Sequence, residues 1–241
     1  MNARAVAGLT RVLLWALSLG MLLPIARAQP AAPPVKIGII GTGRIGASLA
    51  EYWVKAGHEV FVSSRHPQQL QGLVARLGPR AHAGTPREAA AFGTVILVSI
   101  PYGAMPQIGT DLRAELAGKV ILDTSNPVER RDGAMALEAQ KKGAGVATAE
   151  LLHNNRVVRA FNCIPAAVLA NEGNHQPERL AIPIGGDDAQ ALKLAEQLVR
   201  ETGFEPVMVG SLAKTREFDL GQPLASGGPL TAAQLRAKIT N

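Results

Sequence analysis

Residues 35–57 read VKIGIIGTGRIGASLAEYWVKAG, and the fold is decided there. Val35 to Ile40 is almost continuously apolar, the pattern of a strand covered on both faces. Gly41, Gly43 and Gly46 follow at G-x-G-x-x-G spacing, and Ile45 to Lys55 has the pattern of a helix, closed by Gly57. The spacing has a physical cause. Gly41 suits a tight turn, Gly43 has no Cβ to hold a pyrophosphate away from the backbone, and Gly46 lets the helix pack close to the strand. The start of the helix offers free N–H groups and a partial positive charge to phosphates. Three such glycines alone are a weak sign. A strand before them, a helix after them and a second strand in step make them a dinucleotide-binding turn.

Outward from this turn, strand-like runs occur at 35–40, 59–64, 94–100, 119–124, 156–161, 180–185 and 205–210. Helix-like stretches lie near 44–56, 67–77, 104–117, 133–142, 164–170 and 187–202. Alternation at this spacing predicts an α/β protein, a Rossmann-type doubly wound and mostly parallel sheet in a single domain over residues 35–218. Residues 219–241 are rich in Gly and Pro until a short helix-like end, TAAQLRAKI (231–239), and are expected to form an irregular tail.

The second strand-like run selects the dinucleotide. NAD-specific folds place Asp or Glu at its end, where the carboxylate holds the ribose 2′-OH. This chain has Ser63, Ser64, Arg65 and His66 there. Hydroxyls and a guanidinium suit a 2′-phosphate, which a carboxylate would repel, so NADP(H) is the expected cofactor. His66 reads equally well as a solvated loop histidine.

Residues 1–28 hold Arg4, Arg11 and Arg27, no acidic residue, an apolar run from Val12 to Ile25 and a terminal Ala26-Arg27-Ala28. They read as a signal peptide cleaved after Ala28, with an uncleaved N-terminal anchor as the alternative. The expected location is periplasmic or secreted, or membrane-anchored if the segment stays. Residues 29–34, QPAAPP, read as a proline-rich linker. Without the first 28 residues the chain keeps 22 Lys+Arg against 19 Asp+Glu, so the formal charge falls from +6 to +3. No basic block with interleaved aromatics is present, so nucleic acid is not an expected partner. Cys163 is the only cysteine, which excludes an intramolecular disulfide and a thiolate metal cage. His82, His153 and His175 lack ligand spacing, and no metal is expected.

Six segments carry a family resemblance: IGTGRIG (40–46), VSSR (62–65), VSIPYGAMP (98–106), ILDTSNPV (121–128), RVVRAFNCIPAAVLAN (156–171) and IGGDDAQALKLAEQLVRETGFEPVMVGSLAKTREF (184–218). With them the chain resembles the NADPH-dependent reductases of the deazaflavin coenzyme F420, over roughly Val35 to Phe218. The resemblance implies that Thr42, Gly43, Arg44, Ile45, Ser64 and Arg65 hold the dinucleotide. It puts the nicotinamide near Ile100, Pro101, Asn162, Ile164 and Ala166. It also implies direct hydride transfer to a second flat ring, F420 or a flavin, as the related nucleotide domain of six-transmembrane ferric reductases feeds a flavin. Asn162 stands where archaeal members have histidine, and Gln69 replaces a basic residue.

Beside this pocket, Tyr102 reads either as a ring-stacking or proton-donating residue or as an ordinary aromatic at the sheet edge. Cys163 reads as a packing residue or a redox thiol, and Asn126-Pro127 as a turn or a cofactor-facing amide. Asp187 and Asp188 precede a helix and are expected to cap it. The chain is thus expected to be an NADP(H) oxidoreductase with a small-molecule redox partner, and a homodimer is compatible with it. The alternative is an exported or anchored NADP-binding module without turnover.

Overall fold

The computed structural model describes residues 33–153 and 156–239, so the signal or anchor segment and most of the linker lie outside the described residues. Short apolar runs pair into one sheet. Its strands are β1 (Lys36–Ile40), β2 (Glu59–Ser63), β3 (Ala81–Gly84), β4 (Val95–Val98), β5 (Val120–Asp123), β6 (Val157–Arg159), β7 (Ala181–Gly186) and β8 (Glu205–Gly210). Their order is β3-β2-β1-β4-β5-β6-β7-β8. The first six are parallel in Rossmann order. β7 runs antiparallel to β6, and β8 parallel to β7.

Alternation along the strands feeds two cores, one per face. Ile37, Ile39, Val95 and Leu97 pack with Trp53, Phe161 and Phe204 on one side. Ile40, Ile96, Val98 and Ile121 pack with Met105, Leu116 and Leu152 on the other. Close approach of the helices depends on absent side chains. A Cβ on Gly38 of β1 would lie 2.1 Å from the Ala89 carbonyl oxygen, in the helix Pro86–Phe92.

Five elements lie outside the expected runs, among them the short helices Glu129–Asp132 and Leu212–Phe218. β3 (AHAG) and the helix Ala144–Leu151 are built from small residues, which give no apolar rhythm. The helix Pro86–Phe92 had a readable start: Thr85 and Glu88 form a capping box, with Pro86 in the first turn.

The segment after Phe218 corrects the expected boundary. It has little regular structure before its helix, Ala232–Ile239, yet it is packed into the domain. Leu224 and Leu235 bury themselves against Val207 and Phe218, and Thr231 bridges to Leu180. From Pro34 onward the chain is one compact unit. Leu235→Ala is expected to cost about 2–4 kcal/mol in chemical denaturation, as for other buried leucines. A loss below roughly 0.5 kcal/mol, the range of exposed positions, would show that this segment is not part of the core.

Candidate dinucleotide-binding site

The strand order reverses between β1 and β4, and it is at the C-terminal strand ends beside such a switch point that open α/β sheets place their ligand crevice. Gly41 leaves β1 at φ +95°, and a Cβ on it would lie 2.3 Å from the Ser99 carbonyl oxygen at the end of β4. A Cβ on Gly46 would lie 2.4 Å from the Gly41 carbonyl oxygen, so the helix Arg44–Lys55 starts directly on the turn. Gly43 differs: nothing lies within 4 Å of its would-be Cβ. The helix begins there with no side-chain cap and no acidic residue in its first turn. Its first backbone donor to find an acceptor is Ala47 N–H, on the Gly43 carbonyl. A bare, positively polarised helix start beside an open glycine is what a pyrophosphate requires.

Thr42 and Ser63 hold the turn against β2. The Thr42 hydroxyl donates to the Ser63 carbonyl (3.0 Å) and accepts from Ser63 N–H (3.1 Å), while Ser63 Oγ donates to the Ile39 carbonyl (2.6 Å). Beyond them Ser64 Oγ accepts from His66 N–H (2.9 Å), shaping the loop that carries Arg65. Arg65 is exposed and makes no hydrogen bond or ion pair among the described residues. No acidic residue follows β2 in the sequence until Glu88, whose carboxylate is engaged in the capping box with Thr85.

Farther along the edge, Ile100 N–H donates to Ser125 Oγ (3.3 Å), the Asn126 amide donates to the Asn162 carbonyl (2.7 Å), and the Asn162 amide donates to the Phe218 carbonyl (2.9 Å). Ile100, Asn126 and Asn162 therefore form one continuous floor. Pro101 is exposed beside it, and Ile164 and Ala166 are half-buried at the far end. Asn162 Oδ1 is buried with no partner, an acceptor left over at this end of the crevice. Phe161, buried edge-on against Trp53, sits at φ +60°, a left-handed conformation that costs a bulky residue energy and often marks a functional site.

Beneath this floor lies a network that the sequence motifs did not single out. Arg159 is wholly buried on β6. Its guanidinium donates to Asp123 (2.9 Å), to Asp219 (2.7 Å), to Asn126 Oδ1 (3.3 Å) and to the Ser125 carbonyl. Burial opposes its charge, but the two aspartates outweigh burial and raise its pKa. A charged residue inside the apolar run RVVRAF was the available signal.

Several candidate residues take structural places. Tyr102 is fully buried; its hydroxyl donates to the Ala144 carbonyl (3.2 Å) and lies 3.3 Å from the Thr148 hydroxyl, whose own proton goes to Asp123. Burial pushes its phenol up to about 12, so it offers neither a stacking face nor a proton to the crevice. Cys163 packs on the Phe218–Leu224–Leu235 cluster, and burial pushes its thiol up to about 11, which fits packing and not a reactive thiolate. The Asn126 amide serves the floor itself. Asp188 caps the helix Ala189–Glu201 through Ala191 N–H (2.7 Å), whereas Asp187 accepts from Leu212 N–H (2.9 Å). Among the described residues no cluster could hold a metal ion, and no helix is long and apolar enough to cross a membrane.

Residues 36–127 match the family model for NADP oxidoreductase, coenzyme F420-dependent. Over those residues, which run from β1 to just past β5, the chain is similar to that family. Among curated relatives, F420-dependent NADP reductase of Methanothermobacter thermautotrophicus is 26% identical over 204 residues, covering 79% of this chain and 87% of the relative. Metalloreductase STEAP3 of Rattus norvegicus is 33% identical over 201 residues, covering 81% of this chain but 37% of the relative. The chain thus spans little more than a third of the metalloreductases it matches. A solved structure of a hypothetical protein from Sinorhizobium meliloti has a TM-score of 0.68 at 27% identity, covering 83% of this chain and 96% of that one.

Asp132 ties the crevice rim together. Its carboxylate accepts from Gly103 N–H (3.0 Å), Val128 N–H (2.9 Å) and Arg131. The Arg131 guanidinium and these N–H groups hold its pKa down to about 2. A depressed carboxylate stabilises fully above the ordinary value of 3.8 and loses that contribution as pH falls toward about 2. Asp132→Asn should flatten the acid-unfolding curve in that window; an unchanged slope would contradict the assignment. Gly43→Ala is expected to keep the fold, at a cost of no more than about 1 kcal/mol for the N-cap, because its Cβ meets no protein atom within 4 Å, while weakening NADP(H) binding by roughly tenfold or more. Equal binding by both forms would place the phosphates elsewhere.

Proposed function

We propose that this chain is an NADP(H)-dependent oxidoreductase that moves hydride directly between the nicotinamide and a flat aromatic redox partner, a deazaflavin or a flavin. The observation that carries the reading is the pairing of an uncapped helix start at Gly43 with an unpaired Arg65 one strand away. The first fits a pyrophosphate and the second a 2′-phosphate. Gly41, Thr42, Gly43, Arg44, Ile45 and Gly46 would hold the pyrophosphate side, Ser64 and Arg65 the adenosine 2′-phosphate. Ile100, Pro101, Asn162, Ile164 and Ala166 would border the nicotinamide, with Asn162 Oδ1 as a ready acceptor for an amide N–H.

The bound cofactor supplies the hydride. The protein's part is then alignment and the exclusion of water, more than proton transfer. A floor locked by hydrogen bonds among Ile100, Ser125, Asn126 and Asn162 suits that task. Support for the acceptor class comes from the named activity of the archaeal relatives, which align over most of both chains.

Arg65→Ala should weaken NADP(H) binding roughly fivefold or more, an estimate reduced for solvent screening, and leave NAD(H) binding nearly unchanged. Equal losses for both would refute the 2′-phosphate role. For the acceptor, NADPH deuterated at the nicotinamide C4 should deliver its label to C5 of a deazaflavin. With a flavin, whose N5 hydrogen exchanges with water, transfer should show as a deuterium isotope effect on flavin reduction. Absence of transfer to either would overturn the proposed reaction while leaving the binding site intact.

A further inference from the structure

We infer that the buried Asp123–Arg159–Asp219 network sets a net negative charge beneath the nicotinamide end of the crevice and so favours the oxidised cofactor over the reduced one. The inference rests on the NADP(H) reading above and adds a role for three residues outside the nucleotide motif.

Charge comes first. The Asp123 and Arg159 side chains are 0% exposed and that of Asp219 is 12% exposed. Both carboxyl groups receive donors only. Asp123 accepts from Ser125 N–H (2.8 Å), the Thr148 hydroxyl (2.8 Å) and Arg159. Asp219 accepts from Ala144 N–H (2.9 Å) and Arg159. With every such contact filled by a donor, both are carboxylates, and two anions face one cation. Tyr102, which reaches this cluster through Thr148, is a neutral phenol and adds no charge.

Position comes second. The groups that bind the network also build the crevice floor. Ser125 accepts from Arg159 through its carbonyl and from Ile100 N–H through its hydroxyl. Asn126 accepts from Arg159 and donates to the Asn162 carbonyl. One layer of residues therefore separates the excess charge from the surface where the nicotinamide would lie.

The cofactor supplies the contrast. Its nicotinamide ring carries a formal positive charge when oxidised and none when reduced. A buried anion below it attracts the first form and is indifferent to the second, and water cannot screen it as it screens a surface charge. At an effective dielectric near 20 and a separation on the order of 10 Å, one unit of charge changes the relative affinity by roughly tenfold. The effect also pulls the bound pair toward hydride donation. Half of the anionic charge arrives on Asp219, so the C-terminal segment acts in the site as well as in the core.

The test is equilibrium binding of NADP+ and NADPH, each alone, to the full chain and to Asp219→Asn. The amide keeps the shape and removes one charge. The ratio of the NADP+ to the NADPH dissociation constant should rise roughly tenfold, mainly through weaker NADP+ binding. An unchanged ratio with both forms still bound overturns the inference and leaves the NADP(H) reading standing. Failure of the unaltered chain to bind either form overturns the reading, and the inference with it. Should the variant not fold, the ratio for the unaltered chain between about 0.05 and 0.5 M salt decides. A buried charge keeps it constant, whereas a ratio that collapses with salt assigns it to exposed groups and overturns the inference.

Discussion

Arg159 carries a charge that it cannot shed into a place closed to solvent. A buried guanidinium needs acceptors around its charge, and removing one partner of such a pair typically costs about 3–5 kcal/mol. Both Nη atoms of Arg159 find acceptors, while its Nε is buried without one. Here the partners come from two distant parts of the chain: Asp123 at the end of β5 with the Ser125–Asn126 loop that follows it, and Asp219 beyond the last strand. Satisfying one side chain therefore pins β5 and β6 in register, fixes the loop that floors the crevice and draws the C-terminal segment onto the domain. Geometry and stability share one set of bonds.

The other half of the site depends on what is missing. Gly41 and Gly46 stand where a Cβ would strike backbone oxygen, and Gly43 where it would strike nothing. The first two let strand, turn and helix meet, and the third leaves room for a ligand. Thr42 and Ser63 then tie this turn to the end of β2, from which the Arg65 loop departs. A cradle at one end and a hydrogen-bonded floor at the other would suit the proposed ring-to-ring transfer, in which alignment is the protein's main contribution.

What could be read in advance followed the range of the interaction. The glycine turn, the apolar strands and the Ser64–Arg65 pair are local, and each carries its reason within a few residues. β3 and the helix Ala144–Leu151 escaped because Ala and Gly show no periodicity, although Gly145 and Gly185 both pack on Thr215. The Arg159 network escaped because its members lie 36 and 60 residues away from it, with no spacing to tie them. Tyr102 shows the opposite failure. A tyrosine beside Pro101 invited a role in the crevice, and only the Ala144 carbonyl and the Thr148 hydroxyl at its tip reveal that it points into the core. Asp219 stood beyond the stretch that reads as domain, within a Gly/Pro-rich segment that patterning alone takes for a tail.

A crevice built for a dinucleotide with a 2′-phosphate must tell NADP+ from NAD+. Side-by-side calorimetric titration of the unaltered chain with NADP+ and NAD+ addresses it most directly. NADP+ should bind roughly fivefold or more tighter, the difference that one guanidinium makes to one phosphate at a solvent-exposed loop. Equal affinity, or a preference for NAD+, would contradict the account.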